Sequence, residues 1–136
     1  MKTIRWCSWM FFFALFTGCV IVDPIEGENT YSVVNTTDQP IQVAYTYTDK
    51  VNWLEIKEGA PVRIESKQTK QFLMFHGGLP DWTPNYVFEN VVFLSETNDT
   101  LFILEPVNDD EWLLTDSIKD YGYVVGYYHW TYKFAH

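Results

Sequence analysis

The feature that most constrains this chain is an alternation of apolar and polar side chains with a period of two residues. It is clearest over residues 41–48, where Ile41, Val43, Tyr45 and Tyr47 share one face of an extended chain. Such alternation, in β-branched and aromatic residues, is typical of a half-buried strand. Comparable patterns predict strands at 30–35, 51–56, 62–66, 71–76, 86–95, 100–105 and 121–134. Residues 111–120 are ambiguous, and a short strand followed by a turn fits them.

About eight short strands separated by turn-rich breaks predict an all-β fold. We expect an antiparallel β-sandwich, Ig-like or of a related type. A small β-barrel is the alternative, because the same strand signals serve open and closed sheets. The segments on either side of 96–99 are predicted to form a hairpin, and the break at 77–85, which holds two glycines and two prolines, is predicted to be a loop.

The last predicted strand has two distinct faces. Its even-numbered side chains are expected in the core: Val124, Tyr128, Trp130, Tyr132 and Phe134. Gly122 and Gly126 interrupt this strand and predict bulges or bends. The odd-numbered face then carries an aromatic row.

The N-terminal region is the second informative feature. Lys2 and Arg5 precede an apolar run from Trp6 to Phe16, followed by Thr17-Gly18-Cys19. A membrane-spanning helix needs about 20 apolar residues, so this run is too short to be one. A basic start, a short apolar stretch and small residues at the end are typical of a cleaved secretory leader.

The order Thr17-Gly18-Cys19 resembles the lipobox of bacterial lipoproteins, although Phe16 stands where an aliphatic residue is usual. The resemblance implies cleavage before Cys19, a lipid on its sulfur and residence in the cell envelope, at the outer membrane. It divides the chain into a signal peptide (1–18), a lipidated tether (19–29) and a β-sandwich domain (30–136). The domain's layout resembles the small β-sandwich lipoproteins of Bacteroidota, a resemblance that brings no catalytic motif.

The net charge and the cysteine count limit the classes of partner and the covalent links that the chain can have. The chain has 9 basic and 18 acidic residues, and cleavage after residue 18 would leave 7 against 18, a net charge of −11. Like charges repel, so nucleic acid is not an expected partner. The mature chain would keep Cys19 as its single cysteine, which excludes an intramolecular disulfide.

Three motifs are weighed against simpler explanations. The stretch FHGG at 75–78 is similar to an oxyanion loop, but no Gly-x-Ser-x-Gly elbow accompanies it. His76, His129 and His136 lack the short paired spacing of zinc ligands. Residues 108–111 carry adjacent acids, which fit a solvated turn better than a calcium loop. We therefore expect no enzyme, no metal and no cofactor.

Aromatic residues give the predicted binding site. Tyr121, Tyr123 and Tyr127 lie on the odd-numbered face of the last strand, and Trp82 lies in the long loop. Exposed aromatic rows bind sugars or proteins, so we expect a binding module for a glycan or an envelope protein. The alternatives are that both faces are covered or that the rings form cross-strand pairs. An accessory subunit of an envelope assembly, without a small ligand, is the other function considered.

Overall fold

The computed structural model describes residues 27–51, 58–76, 82–120 and 124–136. Eight strands account for most of them: β1 (Glu28–Asn35), β2 (Ile41–Tyr47), β3 (Glu58–Ile64), β4 (Thr69–His76), β5 (Phe88–Leu94), β6 (Thr100–Leu104), β7 (Trp112–Asp120) and β8 (Val124–Phe134). The strand predicted at 51–56 lies outside the described residues except for Val51, which ends a 3-10 turn (Asp49–Val51).

The strands form two four-stranded sheets packed together. The first sheet has the order β4-β1-β8-β7 and the second has the order β3-β2-β5-β6. The predicted sandwich is confirmed, and no pairing among the described strands joins the sheets into a barrel. One pairing departs from the antiparallel expectation, because β1 and β8 run parallel along their whole shared length. Alternation fixes which side chains are buried, but it does not encode strand direction.

The core between the sheets uses the alternating side chains that the sequence predicts. Ile41, Val43 and Tyr45 are buried on β2. Across the interior, the ring of Phe93 stacks on that of Phe134 with centroids 4.6 Å apart. Fully burying one such side chain contributes about 1.5–3 kcal/mol, so these residues dominate the stability of the domain.

On β8 the predicted core face is largely confirmed. Three of its residues are buried: Trp130, Tyr132 and Phe134. Tyr128 is partly buried, while Gly122 and the side chain of Val124 lie outside the described part of the chain. Of the bulge or bend predicted at Gly126, the bulge is excluded, since β7 and β8 pair in continuous register. A Cβ atom at Gly126 would lie 2.7 Å from the ring of Tyr128, so the glycine makes room for that ring.

Other boundaries differ by a few residues. Residues 111–120, ambiguous in sequence, form the single strand β7, and β5 pairs with β6 as the predicted hairpin. The loop predicted at 77–85 ends in a one-turn helix, α1 (Pro84–Val87), whose N-cap is Thr83. β5 therefore begins at Phe88, and β1 begins at Glu28, two residues before the predicted strand.

The four edge strands lie in two pairs along opposite flanks of the sandwich. β3 and β4 are joined by a tight turn at 65–68, in which the Gln68 N–H donates to the Glu65 carbonyl at 3.2 Å. β6 and β7 are joined by residues 105–111 on the other side. Cross-sheet ring contacts fit this facing, because Phe88 of β5 stacks on Trp112 of β7 at 6.1 Å.

Candidate functional site

The predicted aromatic site is described only in part. Tyr127 and Trp82 lie within the described residues, whereas Cys19, Tyr121 and Tyr123 lie outside them. The row as a whole therefore stays a prediction.

Trp82 packs at the inner side of the first sheet. Its ring meets Phe75 edge-on at 5.2 Å, and its carbonyl accepts a hydrogen bond from the Tyr31 hydroxyl at 2.5 Å. Burial, and to a smaller degree Asp109 and Tyr47, raises the pKa of Tyr31, so this hydroxyl stays protonated as a donor. Trp82 thus contributes to the packing at one end of the core.

Tyr127 lies on the outer face of the first sheet. It is half-buried, alternates with the buried Trp130 face, and pairs in register with Glu28 of β1. Two residues on, the exposed His129 shares a hydrogen bond through Nδ1 with the hydroxyl of Thr30. This face is mainly polar, and the structure separates Tyr127 from Trp82, which faces the interior.

The acidic segment at 108–111 has a structural use. Residues Asp109–Glu111 form a 3-10 turn, and the Asn108 side chain accepts from the Asp110 N–H at 3.2 Å. The Asp109 carboxylate accepts from the Asn85 N–H at 2.7 Å, which ties the turn to α1. Within the described part of the chain, no three His, Cys, Asp or Glu side chains come close enough to hold a metal ion.

A surface that sequence reasoning missed lies along the flank formed by β6 and β7. Four large apolar side chains there are exposed: Leu101 at 45%, Ile103 at 46%, Leu113 at 68% and Leu114 at 41%. We call these four residues the β6/β7 flank. Grouped exposed apolar residues in a soluble domain mark contact sites more often than isolated ones do.

The exposure follows from strands that are apolar on both faces. On β6, Leu104 is buried while Ile103 faces outward, in register with Val92 of β5. On β7, Leu113 and Leu114 are consecutive, so one must face outward and the other must face the core side. Consecutive apolar residues at a strand's start were the sequence signal for this surface.

Leu114 lies on the core side and is nevertheless exposed. It pairs in register with the buried Trp130, and Trp112, also buried, precedes it by two residues on the same face. Among the described residues, no acceptor lies within hydrogen-bond distance of the buried indole N–H groups of Trp112 and Trp130. Buried donors usually find a partner, so these two leave hydrogen-bonding capacity unused in the core beneath β7.

Most of the charge around this flank is negative, although Lys119 follows on β7 and the exposed Lys133 lies on the neighbouring β8. Residues 88–118 contain eight acidic side chains and no lysine or arginine: Glu89, Glu96, Asp99, Glu105, Asp109, Asp110, Glu111 and Asp116. Glu89 and Glu105 line an open groove whose remaining walls are Ile103 and Pro106. Exposed apolar side chains on both edge strands thus have carboxylates nearby, a combination that favours a ligand that is apolar and cationic.

No protein-family model, curated protein or solved structure matches this chain. In the described part of the chain, no helix has both the length and the apolar character needed to span a bilayer. The surface described above is therefore interpreted from its own geometry and charge.

Proposed function

We propose that this chain is a lipid-anchored, non-enzymatic protein of the cell envelope whose sandwich binds a partner protein through the β6/β7 flank. The observation that carries the proposal is the exposure of four large apolar side chains on two neighbouring edge strands. Natural sheet proteins normally cover or charge such edges, because bare ones recruit other chains.

Anchoring rests on the N-terminal pattern. The basic start, the short apolar run and Thr17-Gly18-Cys19 support lipidation of Cys19 and attachment at the outer membrane. Because β1 begins at Glu28, residues 19–27 would form the tether, with a reach of about 30 Å when extended. Two or three acyl chains make a stable anchor, whereas one gives only reversible binding.

Catalysis is not part of the proposal. One hydroxyl–imidazole contact, between Thr30 and His129, has the composition of a nucleophile and its base. Thr30 is only 1% exposed, so its hydroxyl is closed to a substrate. This contact is better explained as a hydrogen bond that holds β1 against β8.

The anchoring half is tested with Cys19→Ser. The variant is expected to leave the membrane fraction and to lose labelling by radioactive palmitate, because the sulfur is the site of attachment. A control change at Cys7, within the proposed signal peptide, leaves labelling intact. Continued labelling of the Cys19→Ser protein would remove the anchor from the proposal.

The binding half is tested by crosslinking in intact cells. Leu113 is the most exposed of the four residues. A photo-activated amino acid at this position is expected to crosslink to one defined protein, with about one partner molecule for each crosslinked chain. The matched control carries the same group at Met74, an exposed apolar residue on β4 of the opposite flank. Equal trapping at both positions, or none at Leu113, would contradict a dedicated surface.

A glycan is the second candidate ligand, and the outer face around Tyr127 favours it. An aromatic ring beside the exposed His129 offers stacking together with hydrogen bonding, the combination by which proteins hold sugars. Tyr127→Ala should then abolish calorimetric responses to an envelope glycan panel while Leu113 crosslinking persists. If no glycan binds and Leu113 crosslinks persist, the accessory-subunit role is the better description.

A further inference from the structure

We infer that the partner's contact is an extended segment, with an apolar centre and basic residues at its margins, that joins the first sheet as a fifth strand beside β7. This inference rests on the proposed function and names the chemistry of its partner. It starts from a difference among the four edge strands.

Three of the four edges carry an irregularity that discourages strand addition. The pairings of β3 with β2, of β4 with β1 and of β6 with β5 each contain a register shift. β3 also holds Pro61, and β6 has only five residues. Bulges, prolines and short length are the devices by which natural sheets prevent edge pairing.

β7 has none of these devices over its nine residues. Its register with β8 is continuous from Trp112 opposite Tyr132 to Asp120 opposite Val124. Among the described strands, β8 is its single neighbour, so the backbone groups on its other side have no strand partner. A regular, unpaired edge of this length is a template for an incoming strand.

Side chains along β7 specify an apolar occupant. Leu113 faces outward and Leu114 faces the core side, so an added strand with apolar residues on both faces would cover both leucines. Leu114 follows the buried Trp112 by two residues on the same face, so covering Leu114 would extend the apolar core to the edge of the sheet.

Charge selects a cationic occupant over a second copy of this chain. Glu111 and Asp116 bracket the leucine pair along the strand, and both are exposed. A second copy would bring the same two carboxylates to the shared edge, together with Asp109 and Asp110 beside them, and these like charges repel at close range. Lysine or arginine at the margins of an apolar segment would instead pair with these carboxylates.

The test uses the detergent-solubilised full chain and short synthetic peptides in which a run of valines is flanked by lysines. Two matched probes replace lysine by glutamate or valine by serine. We expect the lysine–valine peptide alone to bind and to slow amide exchange over residues 112–116 about tenfold. Exchange in β3 and β4 should not change, because those edges stay unoccupied.

A variant pair tests the charge contribution. Glu111→Gln with Asp116→Asn is expected to weaken the lysine–valine peptide about tenfold, since two exposed ion pairs are lost. The control, Asp38→Asn with Glu58→Gln, removes two exposed carboxylates on the other side of the molecule and should leave affinity unchanged. Because all four positions are exposed, the fold is expected to persist, and unchanged core amide exchange verifies it.

Equal binding of the lysine and glutamate peptides would overturn the inference, as would binding without protection of residues 112–116. Concentration-dependent dimerisation of the full chain through β7 would overturn it in favour of a second copy. If a residue at position 113 still crosslinks a partner in cells but none of the peptides binds, strand addition is wrong and the proposed function is retained. If position 113 crosslinks no protein, the proposed function itself is wrong.

Discussion

The two flanks of the sandwich present opposite surfaces built on similar strands. Along β3 and β4 the exposed residues are charged or conformationally restrictive, including Pro61, Arg63 and Lys70. Along β6 and β7 four large apolar side chains are exposed, beside charged ones such as Asp116. The comparison teaches that this domain protects three of its sheet edges and leaves β7 available.

Ion pairs and a side-chain hydrogen bond cover part of the flank formed by β3 and β4, which we call the protected flank. Arg63 forms ion pairs with Glu65, at 2.7 Å, and with Glu96. The Lys70 ammonium donates to the Arg63 carbonyl at 3.0 Å, which occupies an edge acceptor. Exposed ion pairs add little to folding stability, so their clearer effect is to make this edge unattractive to other strands.

The largest expected effect compares the packing of the core beneath the two flanks. Phe72 of β4 and Trp112 of β7 are both buried, and their rings lie 6.4 Å apart. We expect Phe72→Ala and Trp112→Ala each to lower the free energy of unfolding by about 3–5 kcal/mol, measured by urea denaturation. The double variant should cost less than the two combined, because the residues touch. A much smaller loss at Trp112 would mean that the β6/β7 flank is poorly packed beneath its surface.

The next effect concerns two asparagines with similar roles on the two sides. Asn35 is fully buried, and its amide donates to the carbonyls of Gln39 at 2.8 Å and Glu65 at 3.2 Å. The Asn108 side chain accepts from the Asp110 N–H at 3.2 Å. Asn35→Ala should cost about 2–3 kcal/mol of unfolding free energy, and Asn108→Ala about 1 kcal/mol or less. Both variants are measured by thermal and chemical denaturation. If Asn35→Ala and Asn108→Ala lose the same unfolding free energy, this ranking is contradicted.

A smaller effect on stability is expected when leucines of the β6/β7 flank are replaced by lysine. Leu101→Lys with Leu113→Lys should change the free energy of unfolding by about 0.5 kcal/mol or less, because both side chains are exposed. Light scattering on heating should nevertheless fall, since the bare edges then carry protective lysines. Met74→Lys, the matched change on β4, should leave scattering as it was. A fall of the same size with Met74→Lys would show that the flanks do not differ in this property.

The smallest effect is a shift in titration on the protected flank. The Arg63 hydrogen bond lowers the pKa of Glu65 below its ordinary value of 4.5, helped by the charges of Arg63 and Lys70. Because the folded-state pKa is depressed, this stabilisation is present above the unfolded pKa and is lost as the pH falls through the folded pKa. Arg63→Ala should raise the pKa of Glu65 in an NMR titration, whereas Lys67→Ala should not. An unmoved Glu65 resonance would show that the ion pair is not formed in solution.

Sequence alternation predicted much of the fold but little of the surface that now stands out. Strands such as β2 and the core face of β8 were readable because burial on one face repeats every second residue. Strand order and the parallel β1–β8 pairing were not, because they depend on contacts distant in the chain. The flank was missed for a related reason: Leu113 and Leu114 read as ordinary strand residues until the sheet order makes β7 an edge.

The predicted aromatic site also shows what local periodicity can and cannot predict. Trp82, predicted from the sequence as a binding residue in the long loop, is partly buried and meets Phe75 edge-on, because a large ring gains free energy from burial. Tyr127 is on the outer face, as its odd position in β8 indicates. Local period thus predicts a residue's face, while its neighbours on that face come from topology.

The position of β1 has a mechanical consequence. This strand is flanked on both sides, by β4 and by β8, and its register with β8 runs from Glu28 to Asn35. Tension applied where the chain enters β1 pulls along the strand axis, so it loads both ladders of hydrogen bonds in shear rather than peeling them one at a time. A chain held at this end therefore resists forced extraction of its first strand, and the rate of forced unfolding sets how long it holds.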